Sequence, residues 1–223
     1  LYQTGTDATM AIANSLIARN DANPEAGSLF IGADSIWATI ENSTVSGNRT
    51  GGYGGGVNTR APMTITHATI TDNWAGTESV SNSGAGLFAY QGNASVWVQH
   101  TILAGNIDRN SASNPDCCRW GGATVTSQGY NLVQVVDNCS FGAAGDITGQ
   151  AALLGPLADN GGPTWTHAPQ VGSLAIDAGD PAFAPPPQYD QRGPGFLRVI
   201  GEHIDIGAFE AWKHVFLPLV LRN

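Results

Sequence analysis

A short phrase of alternating apolar and polar residues recurs along the first half of the chain. Its four copies, each closing on an asparagine, are residues 14–20, 42–48, 67–73 and 100–106. The closing asparagines are spaced by 28, 25 and 33 residues. A β-branched phrase that returns at such an interval, with variable residues between copies, predicts a solenoid of stacked coils.

Each copy has the alternation expected of a strand with one buried face. We expect the buried side chains of successive coils to stack into one aliphatic core, formed by Ile12, Leu16 or Ile17, Ile40, Val45, Ile65, Ile70, Val98 and Leu103. Further strands are predicted at 28–31, 55–57 and 86–90, the last two preceded by glycine-rich turns at 51–56 and 83–86. Glycine permits positive φ and close approach of neighbouring backbones.

The closing asparagines are expected at one corner of the coils. Asparagine tolerates the left-handed region and forms hydrogen bonds with nearby backbone. Stacked in adjacent coils, such side chains can form a hydrogen-bonded ladder. We therefore predict a structural ladder of Asn20, Asn48, Asn73 and Asn106, with a sugar-binding row as the alternative.

The pattern divides the chain into three parts. Residues 1–150 are predicted to form the coils, and residues 151–211, which are rich in proline and glycine, are expected to cap the open end of the same domain. Residues 212–223 form an apolar arm expected to dock in a groove. Its apolar residues are Val215, Phe216, Leu217, Leu219, Val220 and Leu221.

The amino-acid composition limits the kinds of partner that the protein is expected to bind. Charged residues make up only 12% of the 223 residues, the net charge is −9, and Lys213 is the one lysine. Without a basic run, binding to nucleic acid or to an anionic membrane surface is disfavoured. No stretch reaches the ~20 apolar residues of a membrane span. The opening Leu1 without a preceding methionine indicates a longer, secreted precursor.

The three cysteines do not have the spacing of a metal site. A disulfide from Cys117 or Cys118 to Cys139 would close a loop of about 20 residues, which is worth roughly 3 kcal/mol in the chain-entropy model. The third thiol would then stay reduced or pair with another chain.

The C-terminal third carries a specific series of motifs. They are LGPLADNGGPT at 154–164, THA at 166–168, GSLAIDAGD at 172–180, DQRG at 190–193 and DIGAFE at 205–210. Together they resemble the choice-of-anchor Q domain, which ends bacterial right-handed parallel β-helix proteins of the polymorphic outer-membrane or adhesin-like kind. The resemblance implies an all-β, right-handed parallel β-helix that is exported to the cell surface or the medium. It implies little about activity.

The same motifs contain the charged residues that could carry chemistry. Enzymes that cleave polysaccharides need clustered carboxylates, often with calcium. The candidates are Asp177, Asp180, Asp190, Arg192, Asp205 and Glu210. The favoured interpretation is structural, with carboxylates accepting backbone N–H groups and Arg192 pairing with one of them. Structural calcium is the alternative, and no other cofactor is expected.

His67 and His100 occupy equivalent positions in the repeat. Stacked on one face, they could contribute to a metal site, but the sequence offers no evident third ligand. We therefore expect both side chains on a solvated face.

Three functional hypotheses follow. The first is an extracellular structural protein that self-assembles into a filament, sheath or surface layer through open solenoid ends and the arm. The second is a carbohydrate-binding, adhesin-like module that uses a sheet face with exposed tryptophans such as Trp74 and Trp97. The third and least favoured is a polysaccharide lyase or hydrolase. The expected partner is thus the protein itself or a cell-surface glycan.

Overall fold

Twenty short strands and no helix form the described part of the chain. The computed structural model describes residues 2–3, 6–22, 27–32, 35–76, 83–109, 116–136 and 138–212. Every pairing between these strands is parallel. The predicted all-β parallel β-helix is therefore confirmed.

Each complete coil contributes one strand to each of four sheets. The first sheet contains β1 (Tyr2–Gln3), β5 (Leu29–Ile31), β9 (Val57–Thr59), β13 (Leu87–Tyr90) and β17 (Cys117–Trp120). The second contains β2 (Thr6–Ala13), β6 (Ser35–Glu41), β10 (Met63–Thr66), β14 (Ser95–Gln99) and β18 (Thr124–Gly129). The third contains β3 (Leu16–Ala18), β7 (Thr44–Ser46), β11 (Thr69–Thr71), β15 (Ile102–Ala104), β19 (Leu132–Val133) and β20 (Ile147–Thr148). The fourth contains β4 (Asp21–Ala22), β8 (Arg49–Thr50), β12 (Trp74–Ala75) and β16 (Ile107–Asp108).

Aliphatic side chains from successive coils stack inside the solenoid, as predicted. The fully buried predicted positions are Ile40, Val45, Ile65, Ile70, Val98 and Leu103. The structure decides between Leu16 and Ile17 in the first coil. Ile17 pairs in register with Val45 and packs against the core cluster, so Leu16 points to the other side of the strand.

In the structure, each copy of the recurring phrase forms a corner, then a strand of the third sheet, and then a second corner. At the first corner the backbone is left-handed at equivalent positions: Asn14, Asn42, His67, His100 and Tyr130. At the second corner it is left-handed at Arg19, Gly47, Asp72 and Gly105. The closing asparagines lie at this corner, as predicted, but they are not themselves left-handed. The residue before each of them makes the turn, which leaves the asparagine side chain free to bond along the stack.

The disulfide joins Cys117 to Cys139, 22 residues later in the chain. Side chains alternate along β17, and Cys117 is the one that belongs to the core cluster. Cys118 is buried and lies outside this bond. Val136 and Phe141, near the disulfide in sequence, pack against the C-terminal end of the same core.

Residues 151–211 take a different position from the expected end cap. They run across the outward face of the third sheet, where Thr44 donates a hydrogen bond to Gln191 and the Ala208 amide donates to Thr69. A second apolar cluster packs the C-terminal segment against the third sheet. It contains Ile102, Ala104, Leu132, Ala152, Ala175 and Ile206. The segment therefore covers a side of the solenoid, because that side exposes a strip of threonine and aliphatic side chains.

Trp212 is the one residue of the apolar arm that the structure describes, and residues 213–223 lie outside the described residues. Where the structure describes the chain, it contains no helix long and apolar enough to cross a membrane.

Candidate functional site

The four closing asparagines lie in one continuous hydrogen-bonded ladder. Asn20, Asn48 and Asn73 each donate from the backbone N–H and from Nδ2 to Oδ1 of the asparagine in the next coil, with Nδ2–Oδ1 distances of 2.9 Å. In the inner coils Nδ2 also donates to a backbone carbonyl of the preceding coil. Asn48, Asn73 and Asn106 are buried, so a sugar cannot reach these side chains. The arrangement is that of a structural ladder.

Asp116 ends this ladder, a role that the sequence reasoning missed. Its Oδ1 accepts both donors of Asn106, and its Oδ2 accepts the Val135 amide. An asparagine here would present a donor to the Val135 N–H, so an acceptor-only side chain is required. Burial raises the pKa of Asp116 to about 6. Asp116 follows Asn106 by only 10 residues, less than one period of the repeat, so the spacing of the asparagines could not indicate it.

A second ladder follows the neighbouring corner and ends in the same way. The Thr101 amide donates to Asn131, and Asn131 donates from its amide and Nδ2 to Oδ1 of Asp146. The other oxygen of Asp146 accepts the amides of Gly142 and Ala143. An aspartate thus closes both corner ladders near the C-terminal end of the core.

Asp190 and Arg192 form a buried ion pair within the C-terminal segment. The guanidinium group donates from Nε and Nη2 to the carboxylate and also to the Glu210 carbonyl. The rings of Phe196 and Phe209 lie 4.1 and 3.7 Å from the Arg192 guanidinium carbon. The guanidinium group of this ion pair thus packs against two aromatic rings.

Asp205 and Glu210 are bound mainly by backbone amides. Glu210 accepts hydrogen bonds from the amides of Ile200 and Asp205, and Asp205 accepts from those of Asp177 and Ala211. Burial raises the pKa of Asp205 to about 6. Burial, together with the nearby Asp205 carboxylate, raises the pKa of Glu210 to about 8.

The six charged candidates therefore come together only in part. Asp190, Arg192, Asp205 and Glu210 share one buried network, whereas the Asp180 amide donates to His100 and its Oδ1 accepts the Ala182 amide. Among the described residues, no three His, Cys, Asp or Glu side chains are arranged to hold a metal ion. The carboxylate oxygens of the network face N–H donors, and this geometry does not suit calcium.

His67 and His100 are buried, which contradicts the expectation of a solvated face. Their rings stack at 4.7 Å, and Phe183 of the C-terminal segment meets both edge-on. Burial is the main cause that lowers the pKa of both, to about 4 for His100. Both imidazole rings are therefore expected to be neutral, because Phe183 covers them and a charged ring would be costly to bury there.

Arg198 lies beside His67 and was not singled out from the sequence. Its side chain is fully buried and donates to His67 Nδ1 and to the carbonyls of Asp205 and Gly207. Because it bridges the C-terminal segment to a corner of the coils, it belongs to the docking contact.

The outward face of the first sheet carries a stack of aromatic rings. Centroid distances are 4.6 Å from Tyr53 to Phe88, 6.1 Å from Phe88 to Tyr90 and 5.4 Å from Tyr90 to Trp120. β17 is the edge strand of this sheet within the described residues, and Trp120 is 63% exposed. The stack thus ends on an indole ring with an accessible face.

The second sheet presents a further pair of tryptophans. Trp37 and Trp97 stack with centroids 5.3 Å apart, and Trp97 points away from the buried Val96 and Val98, as the alternation predicts. Trp97 pairs in register with Thr64 and Thr126, so hydroxyl groups flank the rings. Exposed aromatic and polar side chains of this kind are common where a flat surface binds a ligand.

The comparisons with known proteins do not add a family to these observations. No family model, no curated protein and no solved structure matches the chain. The resemblance to the choice-of-anchor Q domain therefore stays a prediction.

Proposed function

We propose that the protein is a glycan-binding module of an extracellular surface protein, built as a parallel β-helix. The observation that carries the proposal is Trp120, which ends the aromatic stack of the first sheet and is 63% exposed. Because the Tyr90 ring stacks on Trp120, the indole is already ordered, and a ligand that packs on its apolar face loses little side-chain entropy. A pyranose ring with its axial C–H groups toward Trp120 would continue the stack by one layer.

Polar groups surround this platform. The side chain of Asn138 pairs with both backbone groups of Arg119, which fixes the edge of β17 next to Trp120. Gln91 and the turn at Gly121 and Gly122 are exposed beside it. A fixed aromatic ring among exposed amide groups is the usual composition of a sugar site, in which the ring contributes contact area and the amides orient hydroxyls.

Polysaccharide cleavage is less well supported. Asp190, Asp205 and Glu210 are at most 1% exposed. Because a catalytic acid or base must reach the bond that it cleaves, these buried groups do not form a catalytic pair in this fold.

Self-assembly, the function that the sequence favours, stays a prediction. Its central element is the apolar arm, and residues 213–223 lie outside the described residues.

The test of glycan binding is Trp120→Ala on a glycan array and by calorimetry with the neutral glycan that the parent protein binds best. We expect about a tenfold loss of affinity, which corresponds to ~1.4 kcal/mol. Trp212→Ala is the matched control, because Trp212 is 57% exposed and lies outside the stack. Equal affinity of the parent and Trp120→Ala proteins would remove the proposed site.

A further inference from the structure

The fourth sheet and the residues that flank its strands carry three exposed arginines on an acidic protein. The net charge of the chain is −9, yet Arg19, Arg49 and Arg109 are all exposed along one side of the solenoid. Arg49 pairs in register with Trp74 on the adjacent strand, and Arg109 directly follows β16 on the far side of β12. We call Arg19, Arg49, Arg109 and Trp74 the arginine strip.

Aromatic rings hold the guanidinium groups of the strip in place. The guanidinium carbons of Arg49 and Arg109 lie 5.0 and 5.8 Å from the Trp74 ring, and that of Arg19 lies 5.6 Å from the Trp165 ring. Such cation–π contacts order the long side chains before a ligand arrives. In the part of the chain that the structure describes, the one ion pair is Arg192 with Asp190, so no arginine of the strip lies within ion-pair distance of a described carboxylate.

The spacing of these charges follows the solenoid. Because β8 and β16 lie on either side of β12, the backbones that carry Arg49 and Arg109 are separated by two interstrand steps, roughly 9.6 Å along the axis. One interstrand step is close to the length of one pyranose residue. A linear polysaccharide parallel to the axis would therefore meet a guanidinium group at about every second sugar.

We propose that the arginine strip binds an acidic polysaccharide whose carboxylates are spaced along the chain, which rests on the glycan-binding function proposed above and adds the charge class of the ligand. Arg49 and Arg109 each bind one carboxylate through paired N–H donors. Trp74 lies between them and contacts the intervening sugar with the exposed edge of its ring.

The acidic neighbours of the strip favour this ligand over a nucleic acid. Asp21 pairs in register with Arg49, and Asp72 is exposed at the corner before Trp74. Carboxylates at these positions repel a backbone with one phosphate per nucleotide more strongly than a glycan with one carboxylate at every second sugar, and they accept hydrogen bonds from sugar hydroxyls.

The experiment uses calorimetry with hyaluronan oligosaccharides and with their carboxyl-reduced, neutral form. We expect the parent protein to bind the acidic form at least tenfold more tightly, with an affinity that falls as salt is added. The double variant Arg49→Gln/Arg109→Gln should lose this preference. Arg60→Gln removes a positive charge from the face of the first sheet and should keep it. Unchanged thermal unfolding of each variant shows that the substitutions preserve the fold.

Three results would overturn the proposal. Equal binding of the acidic and neutral oligosaccharides would remove the role of charge while leaving the Trp120 site and its own test intact. An equal loss in Arg60→Gln would show that net charge, and not the strip, sets the affinity. Tighter binding of single-stranded DNA than of hyaluronan, lost in the double variant, would assign the strip to nucleic acid.

Discussion

At the residue scale, the corners of the coils depend on side chains that serve as both donor and acceptor. Asn73 is fully buried, accepts two hydrogen bonds from Asn48 and donates to Asn106 and to the Val45 carbonyl. Asparagine can repeat this pattern in every coil, because its amide carries both kinds of group. At the end of the ladder, acceptors alone are needed, and Asp116 supplies them.

Asn73→Ala should therefore destabilise the protein. The change removes the acceptor of both Asn48 donors that point at Asn73, at about 1–3 kcal/mol for each buried group that stays unsatisfied. We expect a total loss of roughly 3 kcal/mol or more in urea unfolding. Asn93→Ala, at an exposed turn, should change stability by no more than about 0.5 kcal/mol. A similar small effect at Asn73 would contradict the ladder's structural role.

At the element scale, the stack depends on how closely neighbouring coils approach. The glycine-rich turn that leads into β9 lies against the turn that leads into β13. A Cβ atom on Gly56 would lie 2.7 Å from the Gly86 carbonyl oxygen and 3.0 Å from Asn73 Nδ2. Any side chain here would push two coils apart and disturb the asparagine ladder.

Gly56→Ala is expected to cost about 1–3 kcal/mol through this overpacking, or to prevent folding. Gly92→Ala is the matched control, since the nearest atom to its added Cβ would be 4.0 Å away. Chemical unfolding of both variants measures the difference. If both substitutions were equally tolerated, close coil contact at Gly56 would be disproved.

At the scale of the whole molecule, the C-terminal segment and the solenoid share one buried polar interface. Arg198 joins His67 to the turns that contain Asp205, and the network around Glu210 holds those turns together. Most of these ionisable groups are removed from water. The stability of the docked segment should therefore depend on pH.

The clearest dependence lies between about pH 6.5 and 8. The folded protein keeps a proton on Glu210 up to a pKa of about 8, whereas the unfolded chain releases it near 4.5. The folded state thus binds more protons, and the free energy of unfolding falls as pH rises, by at most ~1.4 kcal/mol per pH unit. Below about pH 6.5 the two buried histidines oppose this trend, because their pKa values are lowered.

Urea unfolding at several pH values in this window measures the slope. Glu210→Gln, which cannot titrate, should flatten it, and Glu202→Gln, an exposed neighbour, should leave it unchanged. The same slope in the parent and Glu210→Gln proteins would rule out Glu210 as its source.

The architecture of the coils could be predicted from the periodicity of the chain. The third-sheet phrase, the aliphatic stack and the asparagine ladder are all periodic, and a periodic pattern predicts which residues meet in adjacent coils. The cysteine spacing limited the disulfide to two choices, and strand alternation in the structure selected Cys117. Asp116 was missed because it ends the period instead of repeating it.

The segments that cover each face of the solenoid became visible when the chain was seen folded. Thr44 meets Gln191 and His100 meets Phe183 across long separations in the chain, so no local pattern could show that the histidines are buried. In the same way, Arg49 and Arg109 look isolated in an acidic sequence and become neighbours of one tryptophan through the coil register. Local alternation determines which side of a strand is inward, whereas complementarity between distant segments determines which outward side chains remain exposed.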